Sequence, residues 1–252
     1  MMTGLTPAVV LAQKVEPDSA PQRGGSAVHR AWTSRLAVDV AFGALYARGE
    51  SEFFALVDRA LTPGAEALRP RGMRGAVRYW VRDRWAVRSG FSQLERAVNS
   101  TSRLAPQGEA VSQQTTWQLS SWDILGAEWR GYRWTNHGQA ENATREVRVL
   151  LGAGVGTARY RLRQVGRFVD ASRGVSYADD FRSSGRGTTG YLAAAAELEP
   201  ASWAALRLEW RGSRGTAPMN EDFAGFDRLD MGGHQLSIGA VLHPFGHRAQ
   251  SR

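Results

Sequence analysis

The chain has no cysteine and one lysine, Lys14, in 252 residues. Without cysteine it has no disulfide, no thiolate metal site and no N-terminal cysteine for lipid attachment. Long hydrophobic runs are also missing. No stretch approaches the ~18–20 apolar residues of a membrane-spanning helix, which excludes a helical membrane protein. The apolar fraction is 42% and the mean hydropathy is −0.37. Neither value excludes a transmembrane β-barrel, whose strands alternate and average out on a hydropathy scale. The net charge of +8 is carried almost entirely by arginine, scattered through every segment with no dense run. That distribution points to a composition bias and solvated faces, with a phosphate-rich partner such as nucleic acid or anionic lipid as the alternative.

What is present is alternation with period two. In "RLAVDVAFGALY", Leu36, Val38, Val40, Phe42 and Tyr46 share one parity, and Ala37, Asp39, Ala41 and Gly43 the other. Successive side chains of a strand point to opposite faces, so this segment has an oily face and a small, acidic one. The pattern recurs. Val77, Tyr79 and Val81 oppose Arg74, Ala76, Arg78 and Trp80; Trp85, Val87 and Phe91 oppose Ala86, Arg88 and Gly90. Leu206, Leu208 and Trp210 oppose Arg207, Glu209 and Arg211; Leu236, Ile238, Ala240 and Leu242 oppose Gln235, Ser237, Gly239 and Val241. "GYLAAAAEL" is weaker, with Leu192 and Leu198 opposing Tyr191 and Glu197. Thr115–Trp129 is strand-like with an ambiguous register, because Trp117/Leu119 and Trp122/Ile124 fall on opposite parities. "WAALRLEW" also fits a helix, but Leu208 fits only the strand stripe.

Eight strands result: Leu36–Tyr46, Arg74–Val81, Trp85–Gln93, Thr115–Trp129, Glu146–Arg163, Thr188–Leu198, Trp203–Arg211 and Gln235–Leu242. Arg82-Asp83-Arg84 and Glu199-Pro200-Ala201-Ser202 read as tight turns, whereas Ala47–Pro70, Arg96–Gln114, Gln164–Arg186 and Gly212–Asp230 read as long loops. Short turns on one side and long loops on the other predict an all-β, eight-stranded antiparallel up-and-down transmembrane barrel. The third short-side turn, Arg130–Arg145, is longer than that scheme prefers. "SEFFALVDRAL" predicts a short helix in the first loop, capped by Ser51, with Phe54, Val57 and Leu61 aligned. Residues 1–12 read as the remnant of a signal peptide cleaved before Gln13, 13–33 as a disordered lead-in, 34–246 as the barrel and 247–252 as a tail.

Two rings of amphipathic aromatics belong at the membrane boundaries of such a barrel. Trp85 and Trp203 follow short turns; Tyr46, Phe91 and Trp210 lie near the opposite strand ends. Inside, Asp39, Arg74, Arg78, Arg88, Arg148, Glu197, Arg207, Glu209 and Arg211 are expected to face the lumen. Eight strands leave room only for side chains, so these charges either seal the lumen as a salt-bridge network or line a narrow anion-favouring path.

The glycines of "LLGAGVGTARYRL" imitate a phosphate loop, but a dinucleotide fingerprint needs G-x-G-x-x-G before a helix, and Thr157 holds the third glycine's place. Gly152, Gly154 and Gly156 instead share the lumen face of one strand, making room for a bulky neighbour such as Arg148 or Arg207. Arg159, Arg161 and Arg163 continue the lipid-facing parity, so they lie either beyond the membrane or past a bulge. His234 and Ser237 point to opposite faces of a strand and make a poor nucleophile–base pair, even with Asp230 nearby. His29, His137, His234, His243 and His247 have no metal-ligand spacing. The pairs Asp179-Asp180 and Glu221-Asp222 read as solvated loop acids. No metal and no cofactor are expected.

"EDFAGFDRLDMGGHQLSIGAVLHPF", "VRVLLGAGVGTARYRL" and "FFALVDRAL" resemble stretches of small bacterial outer-membrane β-barrels of the OmpA/OmpX/OmpW type. The resemblance covers about Leu36 to Phe245 and carries no catalytic motif. It implies outer-membrane residence, contact with outer-membrane lipids and lipopolysaccharide, and insertion by the barrel-assembly machinery, which reads a closing strand ending G-x-x-apolar-x-aromatic. Gly239 and Leu242 match that ending, while Pro244 places Phe245 one position late. The expected role is structural or surface-exposed, with limited passive solute passage at most, and the expected state is a monomer that binds no nucleic acid. The alternatives are a lipid-modifying barrel enzyme and a soluble barrel with an apolar ligand inside. The soluble barrel requires the parity to invert.

Overall fold

The computed structural model describes residues 35–105, 109–137, 144–170, 172–201 and 203–244; at 135–137 and 144–145 only the backbone is described. The expected signal remnant, the lead-in, Phe245 and the tail lie outside the described residues. Eight long strands form the body: β1 Leu36–Ala47, β2 Arg71–Arg82, β3 Trp85–Ser102, β4 Ser112–His137, β5 Thr144–Asp170, β6 Val175–Ala201, β7 Ala204–Pro218 and β8 Gly233–Leu242. Each pairs antiparallel with the next, and β8 closes the ring by pairing with β1, for example Phe42 opposite Ile238. The architecture is an up-and-down antiparallel barrel, and closure leaves no strand edge in the ring.

β2 and β3 join through residues 83 and 84, and β6 and β7 through 202 and 203. Along the β1, β2, β7 and β8 segments the alternation holds. Val40, Phe42, Val77, Leu206, Leu208 and Ile238 point outward and are exposed, while Asp39, Arg78, Arg207 and Ser237 point inward and are buried. "WAALRLEW" is strand. Its helical reading fails because Leu206 and Leu208 share the outer wall while Arg207 and Glu209 find partners only inside.

Several expected loops are instead continued strands. β4, β5 and β6 run for 26, 27 and 27 residues, longer than the ~9–11 that cross a bilayer. The expected loop Gln164–Arg186 is a β5–β6 hairpin whose strands run to Asp170 and from Val175, with a turn at 172–174, and Gly212–Asp230 begins as the end of β7. The turn expected at Arg130–Arg145 shrinks to 138–143, which lie outside the described residues.

In this upper part the apolar parity moves inside. Trp117, Leu119, Tyr160 and Leu162 are buried in one cluster with Leu45, Leu94 and Val98. The β5–β6 register runs without a shift from Glu146 to Asp170. The change of face is therefore no bulge. Below it the wall outside the barrel is apolar; above it the outer wall is polar and the inside is an ordinary hydrophobic core.

The helix α1, Glu52–Ala60, caps that core. Its Phe53, Phe54 and Val57 are buried; Phe54 lies 5.2 Å from the Trp117 ring and Phe53 5.8 Å from Phe223 of the last loop. Ser51 stands at the N-cap with extended backbone, but its side chain makes no capping bond. Its hydroxyl is buried without a hydrogen-bond partner, and the helix is held by its apolar face.

Candidate functional site: the barrel interior and its outer wall

All the charged residues expected in the lumen are inside the barrel: Asp39, Arg74, Arg78, Arg88, Arg148, Glu197, Arg207, Glu209 and Arg211 are each buried. Two further acids, Asp123 and Glu128 on β4, join them. With these the central layer is neutral, Arg74, Arg78, Arg88, Arg207 and Arg211 against Asp39, Asp123, Glu128, Glu197 and Glu209. Arg207 is the hub. Its guanidinium donates to Glu128 at 2.6 Å, Glu197 at 2.7 Å and Glu209 at 2.7 Å. Arg78 bridges Glu128 at 2.7 Å, Glu197 at 2.6 Å and Asp39 at 2.9 Å. Arg88 reaches Glu209 at 2.9 Å, and Arg74 pairs with Glu209 and Asp123. Arg211 grips both oxygens of Asp123, at 2.5 and 2.6 Å. The planar guanidinium fork suits such shared, bidentate pairing; a lysine would offer one point charge. This accounts for arginine and not lysine at these interior positions.

Toward the short-turn end, Arg148 pairs with Glu146 at 2.5 Å and with Glu199. The Arg130 guanidinium stacks 4.0 Å over inward-facing Trp80. Toward the loops come Ser92 and Ser121, 2.8 Å apart, and then the apolar core under α1. A cavity of about 10 Å³ lies beside Arg74, Arg88 and Glu209, and one of about 20 Å³ between Arg211 and Leu119. Each holds about one water. Between these cavities the salt-bridge layer and the apolar core fill the interior with side chains.

The glycine face of β5 has a specific occupant, and it is neither Arg148 nor Arg207. Tyr191 on β6 lies over it: a Cβ on Gly154 would come within 2.6 Å of the Tyr191 ring and 2.7 Å of the Leu125 carbonyl. The Arg211 guanidinium stacks 3.6 Å over that ring, a cation–π contact beside its pairing with Asp123. Gly154 thus seats Tyr191, Tyr191 seats Arg211, and Arg211 holds Asp123. A Cβ on Gly152 meets nothing closer than 3.4 Å. Gly154→Ala should therefore cost about 1–3 kcal/mol through overpacking, and Gly152→Ala less than about 0.5. Urea unfolding of the two variants in lipid vesicles reads the difference, and equal costs would contradict this packing.

On the outer wall Trp85 and Trp203 are exposed at the short-turn end, and Tyr46, Phe91 and Trp210 at the other. Sequence reasoning missed Trp122, Tyr132 and Trp134, which are exposed on the same wall. Their parity is hidden by bulges between Asp123 and Leu125 and between Arg130 and Tyr132. The first bulge puts both Ile124 and Leu125 outside, and it concealed Asp123 and Glu128 as well. His234 lies outside, stacked on Trp210 at 5.7 Å, while Ser237 is buried inside, so they form no catalytic pair. Among the described residues no group of three or more His, Asp or Glu side chains is placed to hold a metal ion. Asp180 is held by Arg163 at 2.8 Å and Arg182 at 2.5 Å on the outer hairpin, and these bonds push its carboxyl well below the usual range. No helix among the described residues is long and apolar enough to cross a membrane.

No protein-family model matches the chain, and no curated protein matches it. Solved structures with a similar fold include Neisserial surface protein A (12% identity, TM-score 0.39, 82% of this chain and 95% of that one). Ail, the attachment invasion locus protein of Yersinia pestis, is 16% identical with a TM-score of 0.34, covering 82% and 95%. The N-terminal β-barrel domain of Pseudomonas aeruginosa OprF is 10% identical with a TM-score of 0.34, covering 82% and 96%. The likeness is one of fold. The residue-level geometry above belongs to this chain.

Proposed function

We propose that this chain is an outer-membrane β-barrel with a structural or surface-display role, and that its interior is sealed against solute passage. The observation that carries the reading is the parity. An apolar belt including Val40, Phe42, Val77, Val87, Leu151, Val155, Leu192, Leu208 and Ile238 lies on the outside, bordered by tryptophan and tyrosine at both ends. The charges are inside. An exposed belt of this extent is unfavourable in water and favourable in hydrocarbon. The soluble-barrel alternative needs the opposite arrangement, and among the described residues His234 and Ser237, the pair a lipid-modifying enzyme would use, lie on opposite faces of the wall. Outer-membrane lipids and lipopolysaccharide would contact the belt, the barrel-assembly machinery would insert the chain, and the closed ring suits a monomer.

The neutral salt-bridge layer and the α1 cap favour display over passage. The refolded protein should run faster than its heat-denatured form in detergent gels and show no current steps in planar bilayers. Equal mobility together with recovery in a soluble fraction would overturn the membrane reading, and stable current steps would overturn the sealed interior.

A further inference from the structure

On the outer wall of β5 and β6, directly paired residues change chemistry step by step away from the apolar belt. Val155 faces Gly190 and Thr157 faces Thr188. Next, Arg159 faces Arg186, Arg161 faces Ser184, and Arg163 faces Arg182. The last pair is bridged by one shared acid, Asp180, which offsets part of its charge. The Arg159–Arg186 pair has no such acid. Both side chains are exposed, and among the described residues neither they nor Arg161 has an acid or hydrogen-bond partner.

The neighbours do not supply one. Ser120 and Gln118 of β4 flank Arg159 and Arg161. Glu221 accepts from the Ser184 hydroxyl at 3.1 Å, and Asp222 accepts from the Arg182 N–H at 2.7 Å. Like charges directly opposite on a sheet repel each other. The pair stands one step above Thr157, which is paired with the boundary residue Trp122. That is the level at which lipid headgroups sit against an aromatic belt.

We infer that Arg159 and Arg186, with Arg161 above them, clamp the phosphate of an anionic lipid whose chains lie along the wall of Val155 and Leu192. Two guanidinium forks facing each other offer bidentate donors from both sides of one phosphate group. The phosphate could belong to a phospholipid or to a phosphorylated glycolipid. This inference rests on the membrane reading above.

The test is native mass spectrometry of the full chain refolded in maltoside micelles. It is titrated separately with phosphatidylglycerol, diphosphoryl lipid A, phosphatidylcholine and inorganic phosphate. Phosphatidylglycerol or lipid A should bind in one saturable event at least tenfold tighter than phosphatidylcholine, and whichever is tighter identifies the source. R159Q/R186Q should weaken that event tenfold or more, and R159K/R186K, which keeps the charge but loses the forks, should bind between the two. R167Q/R173Q, with the same charge change at the hairpin tip, should leave it within twofold. Undiminished binding by R159Q/R186Q, an equal loss in R167Q/R173Q, or equal binding of phosphatidylcholine or inorganic phosphate overturns the clamp. The heat-dependent gel shift is scored on the same samples. If the shift is present without anionic preference, only the clamp fails; if it is absent, the membrane reading fails first.

Discussion

Arg207→Met should destabilise the folded barrel by about 3–5 kcal/mol, the usual cost of stripping one partner from a buried ion pair. Arg207 is buried and serves Glu128, Glu197 and Glu209. Methionine fills much of the same volume, so the loss is electrostatic. It leaves a buried layer of four arginines and five acids, where an excess charge is poorly screened. Adding Glu128→Gln restores neutrality, and a double-mutant cycle should show about 0.5–3 kcal/mol of favourable coupling between the two changes. Urea unfolding in lipid vesicles measures both. A single-variant cost below about 1 kcal/mol would mean that water reaches the layer and the lumen is open.

Ile238→Arg tests the other face. Ile238 is 64% exposed and stands between Phe42 and Leu208 in the middle of the apolar belt. Arginine at the bilayer midplane of a barrel costs about 2–4 kcal/mol. On a water-facing wall the same substitution changes stability by less than about 0.5 kcal/mol. The two environments therefore predict clearly different unfolding free energies for one variant.

Much of this was legible in the sequence, for a physical reason. In β7 every second residue answers to hydrocarbon and every other one to a crowded charged interior, so Leu206, Arg207, Leu208 and Glu209 announce their faces. The short turn after Arg82 was legible too, whereas the turn expected at Glu199–Ser202 comes later, because Pro200 and Ala201 still belong to β6. Where the pattern broke, two mechanisms were at work. At the Asp123–Leu125 bulge the backbone spends an extra residue, and the parity of β4 flips without a signature that spacing reveals. Higher up, the surroundings change instead of the chain. Val155 points out because the outside is apolar there, whereas Tyr160 and Leu162 point in because the outside has become water. Alternation alone cannot report such a crossing, and the continued strands therefore read as loops. The partner of the Gly154 face was also hidden, since Tyr191 comes from the adjacent strand and only the register brings it there.

Tryptophan emission offers the most direct test of the account's central claim, that the apolar wall faces lipid and the charged layer faces inward. Trp85, Trp122, Trp134, Trp203 and Trp210 are exposed on the wall, whereas Trp80 and Trp117 are buried inside. In vesicles whose acyl chains carry bromine, the account predicts that most of the emission is quenched, while iodide in the surrounding water quenches little of it. Strong quenching by iodide with none by bromine would contradict it.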